Sequence, residues 1–348
     1  MARRKYSTKK RMKKIEPSVQ TLTFTLGNPV FRPGDPVTQY FYIDLSQCAS
    51  LVNRRFYRQG INWAVAGMKL FTADTGSVFI NKLPNTWVMS NAWEKGFRAW
   101  QDMNNKALEE TPSVRPRFLD FKVYANELHH SNGASNNMLP QNPGGALGGL
   151  ADYTPGEWEM SKFVVPRTDS TIGVPSEREV IATGSNYPGA GASGLNAVSL
   201  IEGYSASRGL PNVLDPNTPE DAADASGVAP QNWLTALFNE GTLQDETVID
   251  EMITENNIAP YPFENDGVNV DTMYPGGANQ APGLQTHDIQ RVSATTIGST
   301  TRFKGGNFPC GLIEVVWNTA DSTSSPVLQI DLMPGNHRGY LCEPMTEM

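Results

Sequence analysis

Thr-Leu-Thr-Phe-Thr-Leu, residues 21–26, alternates a threonine with a large apolar side chain. Successive side chains of a β-strand point to opposite faces, so this period of two predicts a strand with one buried face. Residues 40–45, Tyr-Phe-Tyr-Ile-Asp-Leu, repeat the alternation with β-forming side chains. Both segments are therefore predicted to be strands that place their apolar sides in a core.

Nine further segments have the composition of strands and lie between clusters of Gly, Pro, Asn and Ser. They are residues 61–71, 78–83, 118–125, 158–165, 177–183, 197–204, 288–297, 310–317 and 327–332. These segments do not alternate with helical ones, which disfavours a parallel, doubly wound sheet. The sequence therefore predicts an all-β fold, an antiparallel sandwich.

Two short helices and three long loops interrupt the predicted strands. In the first helix Asn91 is the predicted N-cap, and large apolar side chains recur at helical spacing as far as Met103. The second helix follows Thr242 and has one apolar and one acidic face. The loops cover residues 131–156, 209–231 and 259–286. No repeat or linker divides residues 17–348, which are predicted to form one domain.

Positive charge is concentrated at the N-terminus. Eight of the 28 basic residues fall within the first fourteen positions: Arg3, Arg4, Lys5, Lys9, Lys10, Arg11, Lys13 and Lys14. The rest of the chain has 20 basic and 36 acidic residues, a net charge of about −16. Residues 1–16 lack apolar periodicity and are predicted to be a disordered basic arm.

The arm is predicted to bind nucleic acid. A flexible chain of cations can follow a phosphate backbone of varied path and gains free energy from counterion release, while Tyr6 can stack on a base. Lys10, Arg11, Lys13 and Lys14 also resemble a nuclear-import signal. A merely solubilising tail is the alternative interpretation.

Compartment and membrane signals point to a reducing environment. The three cysteines, Cys48, Cys310 and Cys342, are too few and too scattered for a disulfide framework. No apolar segment follows the basic N-terminus as in a signal peptide, and no apolar run approaches the roughly 18 residues of a membrane span. Neither secretion by a signal peptide nor membrane insertion is expected.

The sequence offers no pattern for catalysis, a metal or a cofactor. Residues 189–194 formally match Gly-x-Gly-x-x-Gly, but no buried strand precedes them and no amphipathic helix follows, so dinucleotide binding is not expected. His129 and His130 are adjacent rather than three to five residues apart, which does not fit a zinc site. The chain is therefore predicted not to be an enzyme.

Four segments resemble capsid proteins of circular Rep-encoding single-stranded DNA viruses, the circovirus-like and smacovirus-like group. They are Met1-Ala2-Arg3-Arg4-Lys5, Asn91-Ala92-Trp93-Glu94-Lys95-Gly96, Phe308-Pro309-Cys310-Gly311-Leu312-Ile313 and Pro334-Gly335-Asn336-His337-Arg338-Gly339-Tyr340. The resemblance implies an eight-stranded jelly roll, an inward-facing arm and icosahedral assembly. The arm departs from the long Arg-rich arms of circovirus coat proteins, being shorter and richer in lysine.

The expected function is that of a viral capsid protein that self-assembles and packages single-stranded DNA through its arm. The expected partners are other copies of the chain, the viral genome, a host nuclear-import receptor and a cell-surface receptor, and the expected locations are the virion and the host nucleus. The alternatives are a coat protein of a small RNA virus, a nucleic-acid-processing enzyme with a basic tail, and a cellular β-sandwich binding module.

Overall fold

The computed structural model describes residues 17–27, 29–109, 113, 119–142, 151–166, 175–186, 189–208, 283–293, 295, 297–319 and 326–348. The α-helices are α1 (Leu45–Asn53), α2 (Trp87–Glu109), α3 (Glu127–Asn132) and α4 (Leu200–Arg208). The strands are β1 (Thr21–Thr25), β2 (Val30–Arg32), β3 (Asp35–Asp44), β4 (Ile61–Phe71), β5 (Gly76–Lys82), β6 (Gln141–Asn142), β7 (Ala151–Asp152), β8 (Lys162–Pro166), β9 (Pro175–Ile181), β10 (Asn196–Ser199), β11 (Gln285–Val292), β12 (Thr300–Phe308), β13 (Leu312–Thr319), β14 (Val327–Leu332), β15 (Pro334–Gly335), β16 (Gly339–Tyr340) and β17 (Cys342–Pro344).

Two sheets form the body of the described chain. Sheet A has the strand order β1-β14-β4-β12, and sheet B has the order β11-β5-β13-β3-β2. Every neighbouring pair in both orders is antiparallel. The predicted mainly β, antiparallel architecture is confirmed.

The chain passes between the two sheets at nearly every connection between long strands. β1 and β4 lie in sheet A, whereas β3 and β5 lie in sheet B. The chain returns as β11 in sheet B and then alternates through β12, β13 and β14. Helices α2 to α4 and strands β6 to β10 all lie between β5 and β11 in the sequence.

The inward faces of sheets A and B enclose a sandwich core. Leu22, Ile330 and Met68 form one row across sheet A, because β14 pairs with β1 on one side and β4 on the other. Trp63 from sheet A and Trp317 from sheet B belong to the same core and are almost fully buried. Each large apolar side chain buried in this way contributes roughly 1.5–3 kcal/mol.

The outer face of sheet B is also buried. Helices α2 and α4 pack over it and form a second core, which contains Tyr42 and Val316 of the sheet, Trp93 of α2 and Ile201 of α4. Seven of the eight residues of β13 are consequently buried. A Cβ atom on Gly96 would lie 2.5 Å from Leu200 Cδ2, so this glycine permits the close approach of α2 and α4.

A third sheet lies beside the second core, in the order β10-β9-β8. β8 and β9 are antiparallel, but β9 and β10 are parallel, so the described sheets are not purely antiparallel. Residues 118–125 were predicted to be a strand. In their described part they form only an isolated bridge between Tyr124 and Ile181.

The helices differ from the prediction in number, length and starting point. The described residues contain four α-helices, and α2 has 23 residues rather than being short. Asn91 lies inside α2, which begins one turn earlier, where the Thr86 hydroxyl accepts a hydrogen bond from the Met89 amide at 3.4 Å. The helix predicted after Thr242 lies outside the described residues.

The strand predictions match the structure most closely at β4 and β14. Residues 61–71 and 327–332 match β4 and β14 at both ends. Residues 197–204 are wrong in their second half, because α4 begins at Leu200. β12 was missed, since Gly305-Gly306 looks like a turn; a Cβ on Gly305 would lie only 2.3 Å from the Ala66 carbonyl oxygen.

Candidate nucleic-acid interface

The residues that follow the basic arm are held at a defined place on the body of the protein. The eight predicted nucleic-acid-binding residues, and the import signal among them, lie outside the described residues. The chain that follows them is anchored: the Val19 amide donates to Asn53 Oδ1 at 3.1 Å, and the Ser18 hydroxyl donates to the Gly339 carbonyl at 3.2 Å. We call residues 17–20, 53–58 and 334–341 the arm root.

A buried tyrosine fastens these segments together. The Tyr340 hydroxyl donates to the Val19 carbonyl at 2.6 Å and accepts from Asn53 Nδ2 at 2.7 Å. The Tyr340 ring packs against Tyr57 and Trp63, with ring centroids 5.5 and 5.3 Å apart. Burial raises the pKa of Tyr340 to about 12, so the hydroxyl stays a hydrogen-bond donor at neutral pH.

The arm root is a concentration of arginine in an acidic protein. Its three segments contain four arginines and no acidic residue: Arg54, Arg55, Arg58 and Arg338. Arg54 ends α1 in the left-handed region with φ 54°, and Arg338 has φ 51°. The Arg338 guanidinium donates to the Phe56 carbonyl, and the Tyr57 hydroxyl donates to the Arg338 carbonyl at 3.0 Å. The two loops are thereby joined.

The sequence contained a signal for this cluster that periodicity did not reveal. Arg-Arg-Phe-Tyr-Arg, residues 54–58, places three cations around two aromatic side chains. Arg338 lies in one of the segments that prompted the viral resemblance, but it comes beside residues 54–58 only in the folded chain.

A second basic surface lies on the outer face of sheet A. Arg302 of β12 lies opposite Lys69 of β4, and Lys304 follows Arg302 on the same exposed face. Lys69 is paired with Asp331 at 2.9 Å. The Lys69 hydrogen bond is the main cause that lowers the pKa of Asp331. Among the described residues no salt bridge involves Arg302 or Lys304.

A buried carboxylate joins α1 to the region inserted between β5 and β11. Asp44 Oδ1 caps α1 by accepting from the Ser46 and Gln47 amides at 2.9 and 3.2 Å. Its other oxygen accepts from Gln59 Nε2 at 2.9 Å and from Trp158 Nε1 at 3.1 Å. Burial raises the pKa of Asp44 to about 6, because these hydrogen bonds compensate only part of the lost hydration.

Glu314 is the centre of a polar network under the helices that cover sheet B. Its two oxygens lie 2.7 Å from the Tyr42 hydroxyl and 2.7 Å from Asn81 Nδ2. Asn126 Nδ2 donates to the same carboxylate at 3.1 Å. Four polar side chains from β3, β5, β13 and the start of α3 are therefore linked in the second core, while Asn81 Oδ1 is buried with no hydrogen-bond partner among the described residues.

His129 is held as a neutral base next to this network. Its Nδ1 accepts from the Ala125 amide at 3.0 Å, so Nε2 carries the proton and donates to Asn137 Oδ1 at 2.8 Å. The imidazole stacks on Tyr42 with a centroid separation of 4.5 Å. Burial lowers the pKa of His129 to about 4. His129 therefore links Ala125, Asn137 and Tyr42 within the core.

The glycine-rich segment Gly189–Gly194 packs on the second buried histidine. A Cβ on Gly191 would lie 2.5 Å from the His130 ring, so glycine is required for this approach. His130 Nε2 lies 2.8 Å from Glu179 Oε2, and the Ser193 hydroxyl donates to the same oxygen at 2.7 Å. The hydroxyl thus contacts the carboxylate rather than the imidazole, unlike the nucleophile of a Ser-His-Asp triad. Burial would raise the pKa of Glu179, but the hydrogen bonds from His130 and Ser193 outweigh burial and lower it.

In the described part of the chain no three His, Cys, Asp or Glu side chains converge as metal ligands would. No helix there is long and apolar enough to cross a bilayer. Comparisons of the chain with protein-family models, curated proteins and solved structures found no match. The function is therefore inferred from the chain itself.

Proposed function

We propose that the chain is a shell-forming subunit built on an eight-stranded jelly roll. The strand orders support this proposal: β1-β14-β4-β12 faces β3-β13-β5-β11, so each sheet mixes strands from both ends of the chain. Two Greek keys rolled together produce this arrangement, which occurs in viral coats, lectins and cupins. The short β2 only extends one edge.

The interior favours a structural role over a ligand-binding one. Cupin-like barrels need space between their sheets for a metal or ligand, whereas this space is filled by Trp63, Phe24 and Trp317, each at most 1% exposed. Packed side chains leave the edges, loops and arm as the surfaces that can contact partners. Copies of the chain can then meet through these surfaces and close a shell.

The particular function that we propose is that of a capsid protein of a circular Rep-encoding single-stranded DNA virus. The observation that carries this proposal is the separation of charge, with eight cations in fourteen residues joined to a remainder of the chain that has 36 acidic and 20 basic residues. Lys10, Arg11, Lys13 and Lys14 would also direct the subunit to the host nucleus before it enters the virion. The genome type comes from the sequence resemblance, and the binding itself is electrostatic and not sequence-specific.

The experiment compares arm and body cations in the full chain. Purified protein is examined by electron microscopy, and its affinity for a single-stranded oligonucleotide is measured at several salt concentrations. The variant K9Q/K10Q/R11Q is expected to reduce the slope of log affinity against log salt by about 2, at roughly 0.7 per lost phosphate contact. The matched variant R98Q/K106Q/R291Q removes three exposed cations from the body and is expected to leave the slope nearly unchanged.

Each alternative has its own outcome. Particles that enclose RNA rather than DNA indicate an RNA virus coat, and metal-dependent cleavage of the oligonucleotide indicates a nuclease. A protein that stays monomeric in every buffer and binds no oligonucleotide at low salt contradicts the proposal.

A further inference from the structure

We infer that the arm root is a second, preformed phosphate-binding site, in which Arg54 and Arg338 hold the nucleic-acid backbone where the arm leaves the body. This inference rests on the proposed function because it assigns the same ligand to a new site. The arm would capture the strand, and the arm root would fix its position on the folded subunit.

The first support is rigidity. Arg54 directly follows Asn53. The Asn53 side chain donates from Nδ2 to the Tyr340 hydroxyl and accepts at Oδ1 from the Val19 amide. Arg338 is bound through its guanidinium to the loop that contains Arg54 and through its carbonyl to Tyr57. The backbone of both arginines is therefore ordered before a ligand arrives, and less conformational entropy is lost on binding than in a flexible arm.

The second support is local charge. The arm root has four arginines and no acidic residue, whereas the chain outside the first fourteen residues has 36 acidic and 20 basic residues. Both Arg54 and Arg338 are exposed. A planar guanidinium can donate two parallel hydrogen bonds to a phosphate, which makes arginine suited to this ligand.

The third support is position relative to the other basic surface. Arg302 and Lys304 lie on β12, the edge of sheet A opposite β1. Three strand spacings, roughly 14 Å, separate β1 from β12. The arm root is therefore closer than Arg302 and Lys304 to nucleic acid held where the arm joins the body. It follows that the end of the sandwich carrying residues 53–58 and 334–341 faces the packaged nucleic acid.

The test uses two full-length double variants that remove the same charge. Affinity for single-stranded oligo-dT is measured by fluorescence anisotropy over a series of salt concentrations. R54Q/R338Q is expected to lower the slope of log affinity against log salt by about 1.4 and the affinity in 0.1 M salt by about 25-fold, at roughly 0.7 per contact. R302Q/K304Q is expected to lower the slope by less than about 0.3 and the affinity in 0.1 M salt by less than about twofold.

A charge-preserving variant separates binding from folding. R54K/R338K keeps both cations but loses the guanidinium that bonds the Phe56 carbonyl, and it is expected to retain the wild-type salt slope. If this variant loses the slope as R54Q/R338Q does, the effect is structural and the inference fails.

Two other results overturn the inference. The first is an equal loss in R54Q/R338Q and R302Q/K304Q, which would mean that total charge alone matters. The second is a normal salt slope in R54Q/R338Q together with impaired particle formation, which would assign the arginines to contacts between copies of the chain. Neutralising the arm tests the proposed function separately: if K9Q/K10Q/R11Q binds like wild type, that function fails, whatever the arm root does.

Discussion

Sheets A and B share one core, but the outer face of one sheet is accessible and that of the other is covered. The outer face of sheet A is open, and its central strands alternate buried with accessible residues, as in β14. The outer face of sheet B lies under α2 and α4 and contains Glu314 within a buried polar network. One sandwich can therefore expose one sheet to a partner while its other sheet supports a large inserted region.

Substitutions at matched outward positions give the most direct test of the difference between the two outer faces. Glu314→Ala removes a buried carboxylate and leaves the Asn81 and Asn126 side-chain amides without this acceptor, while Tyr42 keeps only Asn126 Oδ1. We therefore expect a loss of about 3–5 kcal/mol in the free energy of unfolding. Gln329→Ala on the outer face of β14 is expected to change it by less than about 0.5 kcal/mol. Urea denaturation measures both, and similar losses would show that the two faces are energetically alike.

Acid titration tests the covered face through His129. Its pKa is about 4 in the folded chain and about 6.5 when unfolded, so the unfolded chain binds more protons between these values. Stability is therefore complete above pH 6.5 and is lost as the pH falls toward 4. In His129→Gln we expect the loss between pH 6.5 and 4.5 to shrink by roughly 2–3 kcal/mol.

Asp44 supplies a control of opposite sign. Its pKa is about 6 when folded against 3.8 unfolded, so its contribution is present below pH 3.8 and is lost as the pH rises through 6. Asp44→Asn should therefore make stability increase more steeply with pH between 4 and 6. Chemical denaturation at a series of pH values measures both slopes, and a shared direction of change would contradict the burial of these groups.

The smallest effect concerns the helices that cover sheet B. Gly96→Ala places a Cβ 2.5 Å from Leu200 Cδ2, and we expect a loss of about 1–3 kcal/mol. Gly203→Ala in α4 meets nothing within 4 Å and is expected to stabilise by up to about 1 kcal/mol, because alanine is the better helix former. Thermal unfolding gives the sign of each change, and a stable Gly96→Ala protein would mean that the cover does not depend on close helix contact.

Predictability from the sequence differs between strands buried on one face and the region inserted between β5 and β11. In sheet A, residues 61–71 and 327–332 could be assigned because burial on one face leaves a period of two. On the covered side, residues 197–204 are apolar but change from strand to helix at Leu200, and a short apolar run does not distinguish these structures. The alternation of residues 40–45 predicts that Asp44 faces outward, whereas Asp44 is buried and caps α1.

The candidate site was predictable only in part. The basic arm is visible as eight cations in fourteen residues, because charge density is a local property. Arg54 and Arg338 could not be joined in advance, since their proximity depends on Tyr57, Tyr340 and the loops that these residues hold.

The local features of this protein can be predicted from its sequence alone. They are the alternating strands, the glycine-rich turns and the separation of a cationic arm from an acidic body. Strand pairing, the burial of sheet B on both faces and the joining of the Arg54 and Arg338 loops become visible only in the folded chain. These two kinds of feature differ in the sequence separation of the residues that interact. Periodicity and charge density depend on neighbouring residues, whereas strand pairing and helix packing depend on contacts between segments far apart in the chain.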